Sequence, residues 1–253
     1  MNRELAEDVV TKALKKGCDA AEVFAKSSKG ISVEAKDGEV EALKASQDRG
    51  MSLKVIKRHR LGFAFATSPE EIDRMIEEAV KGAEYAGIDE YADVPEKMPP
   101  AEVLIFDEKI KHLREDDVIR DALLLENSAL AFDGRIKKVR KAQAGGGVGQ
   151  TVIVNSKGVS ISYESSYYSA SVTALARDEG GESQMGWDYA GSRRMGDIDL
   201  SHVGSAAAAR AIELLGSRKI SAAKVPVILA PSVAVDFLEI LSASLSAEAV
   251  QKG

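Results

Sequence analysis

The chain has 253 residues, 45% of them hydrophobic and 29% charged, enough apolar mass for one large core or two smaller ones and unlike the composition of a disordered chain. A net charge of −6 argues against the basic footprint of a non-specific DNA binder, and no apolar run approaches the ~20 residues of a membrane-crossing helix. A single cysteine, Cys18, excludes an internal disulfide, and the start MNRELAEDVV lacks a signal-peptide core, so a reducing cytoplasm is the expected setting.

From Glu4 to Lys16, Leu5, Val9, Val10, Ala13 and Leu14 recur at helical spacing, and Gly17 stands where a left-handed helix end favours glycine. Ala20–Ala25 then reads as a short strand. Ile31, Val33 and Ala35 alternate with polar residues up to Asp37-Gly38, a dipeptide suited to a tight hairpin turn, and the pattern resumes at Val40. Met51, Leu53 and Val55 mark the next strand, the basic corner Lys57–Arg60 reverses the chain, and Gly62–Ala66 returns it. Ser68, Pro69 and Glu71 form a helix start with a capping side chain, a first-turn proline and a capping-box carboxylate. That helix is expected to run to about Ala86 with Ile72, Met75, Ile76, Ala79, Val80 and Ala83 buried. Residues 89–100, which hold three of the six prolines, read as a linker.

A second block repeats the order of the first. A helix over about 115–131 leads to strands at 135–143, 150–155, 158–177 and 182–190, then a helix over 200–215. Turns are expected at Asn155–Gly158 and Asp178–Gly181, and the glycine run Gly145–Gly149 is read as a flexible turn between two strands. The fold class is therefore α+β, with two helix–antiparallel sheet–helix units in residues 1–220, divided as 1–88 and 101–220. Whether the units share one sheet or form two lobes is open at this level. Residues 221–253 read as the beginning of a mostly β carboxyl-terminal domain, with a buried strand at Val225–Ala230, a helix over 232–250, and truncation soon after.

Few residues offer chemistry. The three histidines, His59, His112 and His202, are scattered, and neither HExxH nor HExxxH occurs, so no metal or catalytic residue is assigned. Cys18 follows a helix carboxyl end and reads as a packed small residue. The glycine run continues into the strand Thr151–Val154, unlike a phosphate-binding loop. Two segments carry recognition chemistry. One is the tyrosine- and serine-rich strand containing Tyr167 and Tyr168. The other is Met185–Arg194, where Trp187, Asp188, Tyr189 and Arg193 lie among glycines; aromatic and arginine side chains are the usual anchors of interfaces. These six residues are the candidates for an interface or a peptide channel.

The segments GISVEAKDGEVEALKASQDRGMSLKVI, SPEEIDRMIEEAV, VNSKGVSISYESSYYSASVTALA, WDYAGSRRMGDID and KISAAKVPVILAPSVAVDFLEILSASLSAEAVQKG, in this order, resemble the amino-terminal portion of PmbA/TldE-type members of the TldD/PmbA family of metallopeptidases and DNA gyrase modulators. The resemblance implies a TldD/TldE heterodimer that processes peptides or unfolded polypeptides, with zinc held by the TldD-type partner through HExxxH. This chain has no histidine in the corresponding region, so no zinc ligand carries over. The expectation is a non-zinc subunit, or part of one, inactive alone, with a TldD-type partner, a peptide substrate and no direct contact with nucleic acid or membrane. Two alternatives stand beside it: a metallopeptidase whose ligands lie beyond Gly253, and a stand-alone peptide-binding module.

Overall fold

The computed structural model describes residues 2–99 and 101–252, in two compact units, 1–216 and 217–253. The first unit opens with α1 (Arg3–Lys15), capped by the Asn2 side chain, which accepts from the Leu5 N–H at 3.0 Å. Gly17 closes that helix end at φ 80°. Strands β1 (Ala20–Lys36), β2 (Glu39–Lys57) and β3 (Arg60–Ala66) follow, then α2 (Ile72–Tyr85). Asp37 and Gly38 both have positive φ, as the hairpin reading requires. Ahead of α2, Glu71 Oε2 accepts from the Thr67 and Ser68 N–H groups, the reciprocal half of the expected capping box.

The second half is built in the same order. A short α3 (Glu108–Lys111) precedes α4 (Glu115–Leu130), β4 (Ile136–Asn155), β5 (Ser160–Arg177), β6 (Ser183–Ser192) and α5 (Leu200–Glu213). At the corner into β4, Asp133 accepts from the Arg135 N–H, Nε and Nη2, and the arginine side chain leads the causes that lower its carboxyl to about 2. A carboxyl-resolved NMR titration should find Asp133 ionised well below the ordinary aspartate range; a midpoint near 4 would show that the corner is open in solution.

The six strands form one antiparallel sheet in the order β3-β2-β1-β4-β5-β6. The repeat therefore meets itself at its centre, where β1 and β4 pair with Gly30 opposite Gly147. The two halves of the repeat, both within residues 1–216, share this sheet. Both central strands serve two cores: Val23 and Ala25 of β1 join Val152 and Val154 of β4 under α1 and α2, while Val33 and Ala35 join Ala142 and Ala144 under α4 and α5. This double duty explains strands of 17 and 20 residues, three times the usual length of about 5–6.

Small residues dominate both cores and bring the helices close. A Cβ on Gly62 of β3 would lie 1.9 Å from Ala79 O, and one on Gly186 of β6 would lie 2.2 Å from Ala207 O. The matching places of these two glycines, each under a pair of helical alanines, mark the internal repeat more clearly than sequence identity does. In the second core, the buried Tyr168 hydroxyl donates to Asp121 Oδ2 at 2.6 Å. Glu126 of α4 is also buried and accepts from the Gly38 N–H, hooking the β1–β2 turn to the helix.

Four expectations need correction. Ala20–Ala25 is the opening of a strand that runs to Lys36, because β2 pairs with it along that whole length and β4 from Glu22 to Ala35. The strands read at 135–143 and 150–155 are a single strand, and Gly145–Gly149 is its middle. A Cβ on Gly145 would stand 2.7 Å from Ile31 O and one on Gly147 2.4 Å from Lys29 O, so glycine permits the close crossing of β1 and β4. Finally, Val225–Ala230 is not a strand. Val227 and Ile228 are exposed, and no described residue pairs with the segment, whose backbone groups therefore lack the ladder a strand requires. The second unit contains α6 (Pro231–Ser244) and α7 (Ala247–Lys252) in place of one continuous helix. Residues 89–100 have almost no regular structure through Pro99, as a linker reading requires, but Val94 is buried against Ala20 and Ile56.

Candidate functional site

The helices of the first unit leave the other face of the sheet largely uncovered. Strict alternation decides which side chains stand there. On β3, Gly62, Ala64 and Ala66 face the helices, so Leu61, Phe63 and Phe65 face outward. On β5 the even-numbered residues from Ser166 to Ala176 are buried and Tyr163, Ser165, Tyr167 and Ser169 lie on the open side. On β6, Met185, Trp187 and Tyr189 do the same.

The open face thus has aromatic flanks and a floor of small residues. Phe24, Phe63 and Phe65 stand on one flank; Tyr167, Trp187 and Tyr189 stand on the other. Between them run Ser28, Gly30 and Ser32 of β1 and Gly145, Gly147 and Gly149 of β4. Tyr167 lies flat over this floor: a Cβ at Gly30 would come within 2.8 Å of its hydroxyl, and one at Gly147 within 3.0 Å of its ring. Trp187 and Tyr189 stack with centroids 6.2 Å apart and an interplanar angle of 12°. A hollow of ≈ 490 Å³ opens between Tyr167, Ser169, Tyr189, Gly191, Ser192 and Arg193. Aromatic planes over a serine and glycine floor offer stacking, apolar contact and scattered hydroxyl groups, a surface for polypeptide.

The six candidates from the sequence therefore separate. Tyr167, Trp187 and Tyr189 share the open face. Arg193 sits at the corner beyond β6, where its Nη1 donates to Ser166 O at 3.2 Å. Tyr168 and Asp188 point to the helix side: Tyr168 is 1% exposed, and Asp188 pairs with Arg210 at 2.6 Å. Arg210 also donates to Trp187 O, so this pair holds β6 on α5 beneath the aromatic stack. Phe24, Phe63 and Phe65 belong to the face although the sequence reading passed over them as binding residues. The repeat of small and aromatic residues in GFAFA was the available signal.

The donors that a metal would need do not gather. His59 is in the β2–β3 turn, His112 Nε2 meets Glu108 Oε1 at 3.0 Å on an exposed helical turn, and His202 is at the start of α5. Among the described residues no three histidine, cysteine, aspartate or glutamate side chains are placed to hold an ion. Cys18 is buried, and burial pushes its thiol above the ordinary value, which opposes thiolate chemistry. No helix among the described residues is long and apolar enough to cross a membrane.

Two family models match the chain between them over more than half its length: the PmbA/TldA metallopeptidase domain 1 over residues 21–83 and the central domain over 108–215. The chain belongs to the TldD/PmbA family. Metalloprotease PmbA of Escherichia coli O157:H7 is 33% identical over 244 residues, covering 92% of this chain and 53% of the relative. The PmbA homologue of Buchnera aphidicola is 29% identical over 250 residues, covering 95% and 55%. The chain thus spans about half the length of the curated relatives it matches. The fold matches TldE from Thermococcus kodakarensis with a TM-score of 0.74 and 19% identity, over 82% of this chain and 47% of that one. A Bacteroides thetaiotaomicron protein described as a candidate modulator of DNA gyrase gives a TM-score of 0.77 and 27% identity, over 87% and 51%. The two family models divide the chain near the junction of the two halves of the internal repeat.

Proposed function

We propose that this chain acts as a PmbA/TldE-type, non-zinc subunit of a two-chain metallopeptidase assembly, supplying a wall of the channel in which peptides are held. The observation that carries the reading is the uncovered sheet face, whose aromatic flanks and flat small-residue floor suit extended polypeptide. The dispersed histidines and the buried thiol do not fit a zinc centre, so no step of hydrolysis is assigned to these residues, and zinc belongs to the TldD-type partner. Trp187, Tyr189, Tyr167 and Arg193 are the proposed contacts with peptide or partner. The acidic net charge supports an indirect route for any effect on DNA gyrase.

Co-purification with a TldD-type chain, metal analysis and a peptide-cleavage assay test the reading together. Zinc and cleavage should appear in the complex and follow the partner. Zinc near one per chain, with cleavage by the isolated 253-residue protein, would overturn it. Trp187→Ala and Tyr189→Ala should each weaken partner or peptide affinity by about tenfold, the size of a modest interface anchor, with the fold intact. Unchanged affinity in both would remove the aromatic stack from the proposal. The half-length coverage of the relatives also supports a second reading, in which the ligands belong to the portion of the family this chain does not span. An HExxxH in the gene beyond Gly253 would favour it.

A further inference from the structure

The two halves of the repeat differ at one matching place. β3 ends opposite Met51 of β2, and β6 ends opposite Tyr168 of β5. Two residues beyond, on the same sides, are Arg49 and Ser166. In the second half that place is filled by the chain itself. The Ser166 N–H donates to Ile105 O at 2.8 Å, and its Oγ accepts from the Asp107 N–H at 2.8 Å. Residues 105–107 thus run beside β5 where β6 has stopped.

In the first half the same place is open. Arg58 and His59 both have positive φ, 53° and 58°, the two-residue hairpin in which Lys57 and Arg60 exchange main-chain bonds. Alternation then turns the main-chain groups of Val55, Leu53 and Met51 toward β3. Pairing with β1 continues without a shift from Ile56 to Ala42, so Arg49, Gln47, Ala45 and Leu43 present their N–H and C=O groups on that side after β3 has ended. No described residue bonds to these outward groups. Beside them lies a hollow of ≈ 380 Å³ lined by Phe24, Ser28, Arg49, Met51, Phe65 and Thr67.

We propose that the β2 edge from Leu43 to Arg49 receives an extended peptide as an added strand, with one apolar side chain in the Phe24–Phe65 hollow. The occupant is argued from the other half, where the chain turns at Leu104, Ile105 N–H donating to Val103 O at 3.1 Å, and residues 105–107 then take the equivalent place through the main-chain bond from Ser166 N–H to Ile105 O. Main-chain pairing gives affinity without demanding one sequence, and the hollow adds a preference for apolar residues. This deepens the peptide-handling reading and rests on it only for the peptide's role as substrate.

The test is amide hydrogen exchange on the 253-residue protein with a synthetic peptide, AEVLIFDEK, and with the same peptide N-methylated at every main-chain amide, so that neither of its edges can donate. Exchange at Leu43, Ala45, Gln47 and Arg49 should slow about tenfold when nine in ten edges are occupied. The methylated peptide should give no protection. Gln47→Pro, which removes one outward N–H while sparing the bonds to β1, should weaken binding about tenfold or more. If that variant misfolds, the methylated peptide still decides. Protection at β6 instead, equal binding by both peptides, or no protection at all would overturn the proposal. Protection that rises with protein concentration alone would assign the edge to a second copy. A cleaving complex without edge protection removes this inference and leaves the function; edge protection in a complex that cleaves nothing does the reverse.

Discussion

Gly62→Ala and Gly186→Ala should each destabilise the protein by about 3 kcal/mol, the upper part of the range for overpacking a core. A methyl on Gly62 would sit 1.9 Å from Ala79 O and 2.8 Å from Ala83 N; one on Gly186 would sit 2.2 Å from Ala207 O and 2.3 Å from Ala211 N. In each case the obstacle is helix backbone, which cannot rotate away as a side chain would. The helix has to lift from its strand and uncover the alanine-rich core beneath. Gly82 provides the contrast. It lies inside α2 with only ordinary contacts around an added Cβ, so Gly82→Ala should stabilise by about 0.5–1 kcal/mol through helix propensity. Urea midpoints of the three variants give the comparison. Losses under 1 kcal/mol at Gly62 and Gly186 would mean that the helices are less closely seated.

Tyr168→Phe should cost about 2–3 kcal/mol, the value of a buried hydrogen bond to a charged group. The change removes the 2.6 Å bond to Asp121 and leaves a buried carboxylate with Arg120 at 3.5 Å as its remaining ion-pair partner. The same bond makes a pH prediction. Burial first, and the Asp121 hydrogen bond second, push the Tyr168 hydroxyl above its ordinary value. A pKa raised on folding contributes stability that is complete below the unfolded-state value, about 10 for tyrosine, and is lost as pH rises beyond it. The native protein should therefore weaken above about pH 10, and the phenylalanine variant should lack that part of the slope. Parallel stability curves from pH 8 to 11 would show that Tyr168 does not carry it.

The open face was partly legible from alternation. Tyr167 and Tyr168 are adjacent in a strand, so they point opposite ways, and Ala170, Val172 and Ala174 share the parity of Tyr168. The same rule separates Asp188 from Trp187 and Tyr189. Treating these residues as one group overlooked a period of two that was present in the sequence. The glycine run offered no such signal. Glycines 145, 146 and 147 look locally like a turn, and only the closeness of β1 at Gly145 and Gly147 and of β5, through Tyr168 at Gly146 and Tyr167 at Gly147, explains them as strand.

By itself the sequence determined α1, α2, α4 and α5, the hairpin turns, the α+β class and the resemblance to one family, because these depend on short-range periodicity, turn conformation and ordered motifs. Tertiary structure decided that the two halves of residues 1–216 share one sheet, that its helices leave the aromatic face open and that the β2 edge from Leu43 to Arg49 is unpaired among the described residues. Those properties depend on which distant strands meet and in what register, and no local pattern encodes the spacing between β1 and β4.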